Sequence, residues 1–127
     1  MKTTLIVDDD AILRSVLVRS VRRHFHVTAC DTLTAALALF DGPRVFDAIL
    51  CDMILDDGTG KDFYDRLRKQ SVDQSDRILF LTGYESLPAD VPFYEATRGR
   101  HLLKPIAADV LIANLAMMAG DGASVAS

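Results

Sequence analysis

The sequence has little with which to cross a membrane, staple itself covalently or bind a polyanion. No apolar run approaches the roughly 20 residues of a membrane helix. Met1-Lys2-Thr3-Thr4 runs straight into Leu5-Ile6-Val7 and then three aspartates, so there is no signal-peptide core. There are two cysteines, Cys30 and Cys51, each inside an apolar run, too few for a disulfide framework. Both read as reduced core thiols. Fourteen Lys and Arg face eighteen Asp and Glu, a formal net charge of −4, which argues against non-specific nucleic-acid binding. Tryptophan is absent altogether. The expectation is a cytoplasmic protein with no direct contact to nucleic acid or membrane.

What is present is a core. Half of the 127 residues are hydrophobic, enough for a single domain. Short apolar runs alternate with amphipathic stretches. Leu5–Val7, Val27–Cys30, Ala48–Cys51, Ile78–Leu81 and His101–Leu103 read as strands. Ala11 to about His24, Leu33–Phe40, a stretch from a Thr59 cap to about Gln70, and Ala108–Met118 read as helices, with Thr32 as a second candidate cap. Pro88 and Pro92 fall where a fourth helix belongs, predicting a long loop and a short helix over about Val91–Thr97. Strands apolar on both faces, alternating with helices, imply an α/β fold: a doubly wound parallel sheet covered on both sides. Residues 1–119 form the expected domain, and 120–127 a flexible tail.

In such a sheet, ligands gather at the carboxyl ends of the strands. Asp8-Asp9-Asp10 follow the first strand, Asp52 the third, Thr82-Gly83 the fourth and Lys104-Pro105 the fifth. Singly, each has a bland reading: an Asp as a helix cap, a Thr as a strand end, a Lys on the surface. Together they bring carboxylates, a hydroxyl and an ammonium to one edge. Crowded carboxylates favour a hard cation, and Mg²⁺ suits oxygen ligands best. A carboxylate can attack phosphorus to form an acyl phosphate, whose oxygens need compensating positive charge and donors.

With these residues in view, the chain resembles the response-regulator receiver domains of two-component signalling, over about Thr4 to Met118. The match rests on Asp8-Asp9, Asp52, Thr82-Gly83 and Lys104-Pro105, at intervals of 43, 30 and 22 residues from Asp9 to Lys104. The resemblance implies a flavodoxin-like five-stranded sheet of order 2-1-3-4-5. It implies Asp52 as phosphoryl acceptor, with Mg²⁺ held by Asp8, Asp9, Asp52 and the backbone carbonyl of Ile54. Thr82 and Lys104 would contact the phosphoryl group, and the Lys104-Pro105 bond would be cis. The implied donor is a phosphohistidine on a histidine kinase or phosphotransfer protein. A downstream protein partner would dock on the face made by the fourth helix, fifth strand and fifth helix; homodimerisation stays open. The expected role is regulatory rather than enzymatic.

Three departures from the family pattern stand out. Asp56 occupies a common proline position; it and Asp57 read as solvated and capping the next helix, with a contribution to metal affinity left open. His101 stands where an aromatic switch residue, Tyr or Phe, is usual; it could rotate between inside and outside and respond to pH, and it reads equally as a plain surface strand residue. The prolines distort the fourth helix and, with it, the output face. No output domain follows Met118, so the sequence reads as a stand-alone receiver or a fragment of a longer protein. Ile54 and Tyr84, the two positions that govern water attack in the family, are bulky and predict slow self-dephosphorylation. Two other functions compete. A Mg²⁺-dependent phosphohydrolase with an aspartyl nucleophile, of the haloacid-dehalogenase type, would want an acid where Ile54 stands. A non-phosphorylated receiver-like module would lack the pocket residues, all of which are present.

Overall fold

The computed structural model describes residues 1–83 and 91–120. The predicted loop around Pro88, the side chain of Tyr84 and the predicted tail from Asp121 onward lie outside these residues. The chain runs β1 (Thr3–Val7), α1 (Ala11–Val21), β2 (His26–Cys30), α2 (Leu33–Ala38), β3 (Ala48–Asp52), β4 (Ile54–Leu55), β5 (Gly58–Thr59), α3 (Gly60–Gln70), α4 (Val72–Ser75), β6 (Ile78–Thr82), α5 (Val91–Ala96), β7 (His101–Leu103) and α6 (Ala108–Met118). β2, β1, β3, β6 and β7 form one parallel sheet in that order. This is the predicted 2-1-3-4-5 order, with the small antiparallel pair β4–β5 inserted after the third strand.

Period-two alternation assigns each strand side chain to a layer. Leu5, Val7, Ile49, Cys51, Ile78 and Phe80 point to one side, where Leu33, Phe63, Leu67 and Phe93 from α2, α3 and α5 cover them. Ile6, Leu50, Leu79 and Leu81 point to the other, beneath Leu17 and Val21 of α1 and Leu111 and Leu115 of α6. β3 and β6 are buried at every position, as central strands must be. Each such aliphatic side chain contributes about 1.5–3 kcal/mol by leaving water.

The helices begin where short polar side chains satisfy free N–H groups. Thr32 Oγ1 accepts from Ala35 N at 3.0 Å. Thr59 and Asp62 form a reciprocal capping box, at 3.1 and 2.9 Å. Gly60 opens α3 against Met53 and Phe80, where an added Cβ would lie 2.8 Å from the Met53 sulfur. Two predicted helices stop early. α1 ends at Val21 rather than His24, because the amides of His24 and Phe25 both bond the Val21 carbonyl and turn Phe25 into the core. α2 ends at Ala38 rather than Phe40.

Two polar ties hold the start of β3, and so aim its far end. Asp47 accepts from the Thr3 amide and hydroxyl at 2.8 and 3.1 Å, joining the beginnings of β1 and β3. Gln74, buried in α4, bonds both main-chain groups of Phe46: its Oε1 accepts from the amide at 2.9 Å and its Nε2 donates to the carbonyl at 3.0 Å. Gln74→Ala would leave both groups buried and unpaired. The expected cost is about 2–3 kcal/mol in urea unfolding at an unchanged m-value. A loss below about 0.5 kcal/mol would show that water replaces the amide.

Candidate functional site

Sheet register assembles the site. Val7 pairs with Cys51, so Asp8 leaves β1 beside Asp52 at the end of β3. Asp52 pairs with Leu81, one residue before Thr82, and Thr82 pairs with Leu103, one residue before Lys104. The residues predicted from the strand ends therefore meet at one edge.

The three consecutive aspartates divide their duties. Asp10 is the helix cap: its Oδ1 accepts from Ile12 N and Leu13 N at 3.0 and 3.1 Å. Asp8 and Asp9 join Asp52, with one carboxylate oxygen from each within 4.8 Å of the others. Asp8 is 1 % exposed. Its Oδ1 accepts from Asp10 N at 2.9 Å, while its buried Oδ2 has no partner among the described residues. Burial pushes its carboxyl above the ordinary range, and the charges of Asp52 and Asp9 add to the effect. An orphaned buried carboxylate oxygen beside two more carboxylates fits a hard divalent cation held by oxygen.

Asp52, also buried, meets positive charge directly. Lys104 Nζ lies 2.7 Å from its Oδ2, and the Ile54 amide donates to its Oδ1 at 3.2 Å. Burial draws the Lys104 ammonium down, but its bond to Asp52 and the charges of Asp52, Asp8 and Asp9 outweigh that and raise its pKa overall. The Lys104-Pro105 bond is cis. Thr82 is at the edge, but its hydroxyl donates to the Leu102 carbonyl in a long 3.4 Å bond. Beneath the site, burial holds the Cys51 thiol protonated, and Cys30, half-buried, is free as well.

The acidic loop after β3 departs from its sequence reading. Asp57 does not cap the following helix. It reaches back to the start of α2, accepting from Leu33 N, Thr34 N and Thr34 Oγ1 at 2.8, 3.0 and 2.8 Å. These donors hold its carboxyl below the usual range. The β4–β5 turn makes this possible by carrying Asp57 toward α2. Asp56 is solvent-exposed, as expected, but the charge of nearby Asp9 raises its pKa. His101 points inward: its ring stacks on Phe80 at 4.8 Å and 17°, and its Nε2 lies 2.8 Å from Thr97 Oγ1. Thr97 carried no signal in the sequence beyond a hydroxyl near a helix end.

Asp8→Asn removes a buried charge and supplies an amide that can donate to a neighbouring carboxylate. In chelator the variant is expected to melt a few degrees above wild type, roughly 1 kcal/mol. A lower melting temperature would show that the Asp8 charge is already compensated.

Comparison with known proteins agrees with this geometry. The family described as the response regulator receiver domain matches residues 4–116. The photosynthetic apparatus regulatory protein RegA of Rhodovulum sulfidophilum is 32 % identical over 112 residues, covering 87 % of this chain and 60 % of that protein. The acid tolerance regulatory protein ActR of Rhizobium meliloti (strain 1021) is 30 % identical over 121 residues, covering 94 % and 61 %. The chain thus spans about 60 % of the length of these relatives. A CheY-like response regulator receiver domain protein from Methanospirillum hungatei JF-1 shares the fold at a TM-score of 0.83 and 22 % identity, covering 98 % of each chain. With its sheet order, its acidic edge and the family match over residues 4–116, the chain belongs to the response regulator receiver domains, the regulatory modules of phosphorylation-dependent two-component signalling.

Proposed function

We propose that Asp52 is the phosphoryl acceptor of this receiver. The observation that carries the reading is its double engagement: Asp52 belongs to the Asp8–Asp9–Asp52 group and bonds Lys104 at 2.7 Å. A carboxylate oxygen of Asp52 attacks phosphorus, and the bond from phosphorus to the donor's imidazole nitrogen breaks. The imidazole leaves with the electron pair and takes up a proton. Lys104 can follow the phosphoryl oxygens with its ammonium, and Thr82 can turn its weakly held hydroxyl from Leu102 toward them. Asp8, Asp9, Asp52 and the Ile54 carbonyl would hold Mg²⁺, whose charge offsets that of the phosphoryl group. The donor in this reading is a histidine kinase or a phosphotransfer protein. The output surface is the α5–β7–α6 face, toward a protein partner.

Acetyl phosphate with Mg²⁺ tests the assignment without a kinase. Wild type is expected to gain about 80 Da, one phosphoryl group, an adduct that does not form when EDTA replaces Mg²⁺ and is absent in Asp52→Asn. Mg²⁺ alone is expected to raise the melting temperature of wild type, as a ligand bound to the native state must. An unchanged wild-type mass, or an adduct that survives Asp52→Asn, overturns the assignment.

The lifetime of the product is a second measurable property. The Ile54 side chain, half-exposed beside Asp52, has no polar atom with which to orient water. Self-dephosphorylation is expected to be slow, and slower than in Ile54→Asn with Tyr84→Glu. Faster decay in wild type than in the double variant would refute this.

A further inference from the structure

His101 is held by two kinds of contact that respond oppositely to a proton. The first is apolar. Its ring lies between Phe80, stacked at 4.8 Å, and Tyr94, tilted at 4.9 Å, with the Phe93 ring edge-on at 5.8 Å. The second is the 2.8 Å contact to Thr97, a residue with no exposed surface. The Thr97 hydroxyl proton is committed to the Phe93 carbonyl, at 2.9 Å. With the hydroxyl donating there, its oxygen accepts and Nε2 donates; the reverse tautomer would place a hydrogen on buried Nδ1 with no acceptor among the described residues. This assigns the tautomer: Nε2 carries the hydrogen and Nδ1 is bare. Nδ1 is buried, with no partner among the described residues. A bare lone pair there is tolerable. A second N–H would be an unpaired donor on a buried cation.

Among the described residues, the surrounding charges give the cation no help. On α5 the ring faces Tyr94 and Thr97; on β6 it faces Phe80; Tyr64 of α3 stands behind Phe93 and Phe80. Arg100, next in the chain, lies over the Tyr64 ring and bonds the Ser75 and Ala96 carbonyls. Burial first, and then Arg100, lower the imidazole pKa, and no carboxylate among the described residues opposes them.

We propose that Thr97 is a positioning residue that latches neutral His101 inside the α5–β7 crevice, and that protonation releases the ring to solvent. Above its lowered pKa the ring is neutral and held. As pH falls through that value the ring charges and leaves, placing a cation on the α5–β7–α6 face and emptying the space beside Phe80. The latch regulates the face assigned above to output, but it belongs to the unphosphorylated chain and is tested without phosphoryl transfer. Its failure is thus distinct from failure of the Asp52 assignment.

The latch and simple protonation in place predict opposite responses to Thr97→Val. If only the released ring takes the proton, each tenfold preference for the inward state lowers the observed midpoint by about one unit. Removing the hydroxyl then raises the midpoint toward the ordinary value near 6.5. If the inward ring takes the proton, the hydroxyl is an acceptor for the imidazolium, and losing it leaves the midpoint unchanged or lowers it. The Phe93 carbonyl keeps the Thr97 amide at 3.0 Å, so the valine variant retains its main-chain bond. The experiment is an NMR pH titration of the imidazole carbon-bound protons, with His101→Phe to separate the signal from His24 and His26. The latch requires a wild-type midpoint below the ordinary value and a rise in Thr97→Val. It also requires a wild-type midpoint in Thr97→Ser, and loss of the Phe80 ring-current shift in step with protonation. A midpoint that stays or falls in Thr97→Val overturns it. So does a ring-current shift that survives acidification, which can be read in wild type alone.

Discussion

The Lys104–Asp52 contact joins two strands that are not neighbours, for β6 lies between β3 and β7. Its 2.7 Å length depends on two registers at once, Asp52 against Leu81 and Thr82 against Leu103. A one-residue slip in either would move every side chain of that strand to the opposite face. The contact also answers the main electrostatic cost of the site. Asp8 and Asp52 are buried with like charges beside them, and Lys104 offers compensation from within the fold. The compensation is incomplete, because Asp8 Oδ2 stays unpaired. That residual demand is a reason for such an edge to take up a cation.

The same edge ties the site to the rest of the chain. The loop after Asp52 turns back through β4 and β5, and its Asp57 carboxylate holds the first amides of α2. The next residues start α3, with Gly60 against Met53. A change of charge or position at Asp52 therefore has two helices within a few residues of it. On the other side, Lys104 N bonds the Thr82 carbonyl at 2.8 Å, so β6 and β7 move as one ladder.

Much of this was legible in the sequence, because its causes are local or periodic. Strands buried on both faces read as unbroken apolar runs, and a parallel sheet puts the residues after them at one edge. The caps Thr32 and Thr59 were legible for the same reason: a hydroxyl three residues before the amide it bonds. What stayed hidden depends on partners distant in sequence. Asp8, Asp9 and Asp10 look alike in a row, and only the turn out of β1 decides that the third caps α1 while the first is buried. Asp57 looked like a cap for the nearest helix. Its actual donors are 23 and 24 residues upstream, reached through a hairpin of two-residue strands too short to show a period. Gln74 gave no warning either, since a lone polar side chain in a four-residue helix normally reads as surface.

Phe80 is where chemistry and surface meet. It precedes Thr82 by two residues on the same strand, so both side chains project to the same face of the sheet. Across the ladder Phe80 pairs with His101 and Thr82 with Leu103. A Thr82 hydroxyl that turns toward Asp52 gives up its bond to Leu102, beside the position that His101 stacks against. A coupling between the two would need no long pathway, only two adjacent pairs on one ladder. It is also reciprocal. If phosphorylation changes how well the inward imidazole fits, then the proton on His101 must change, by the same free energy, how well Thr82 can turn. A Phe or Tyr ring at this position would transmit fit alone. In the proposed latch, histidine would add a proton to the same exchange, with Thr97 as the contact that makes the proton count.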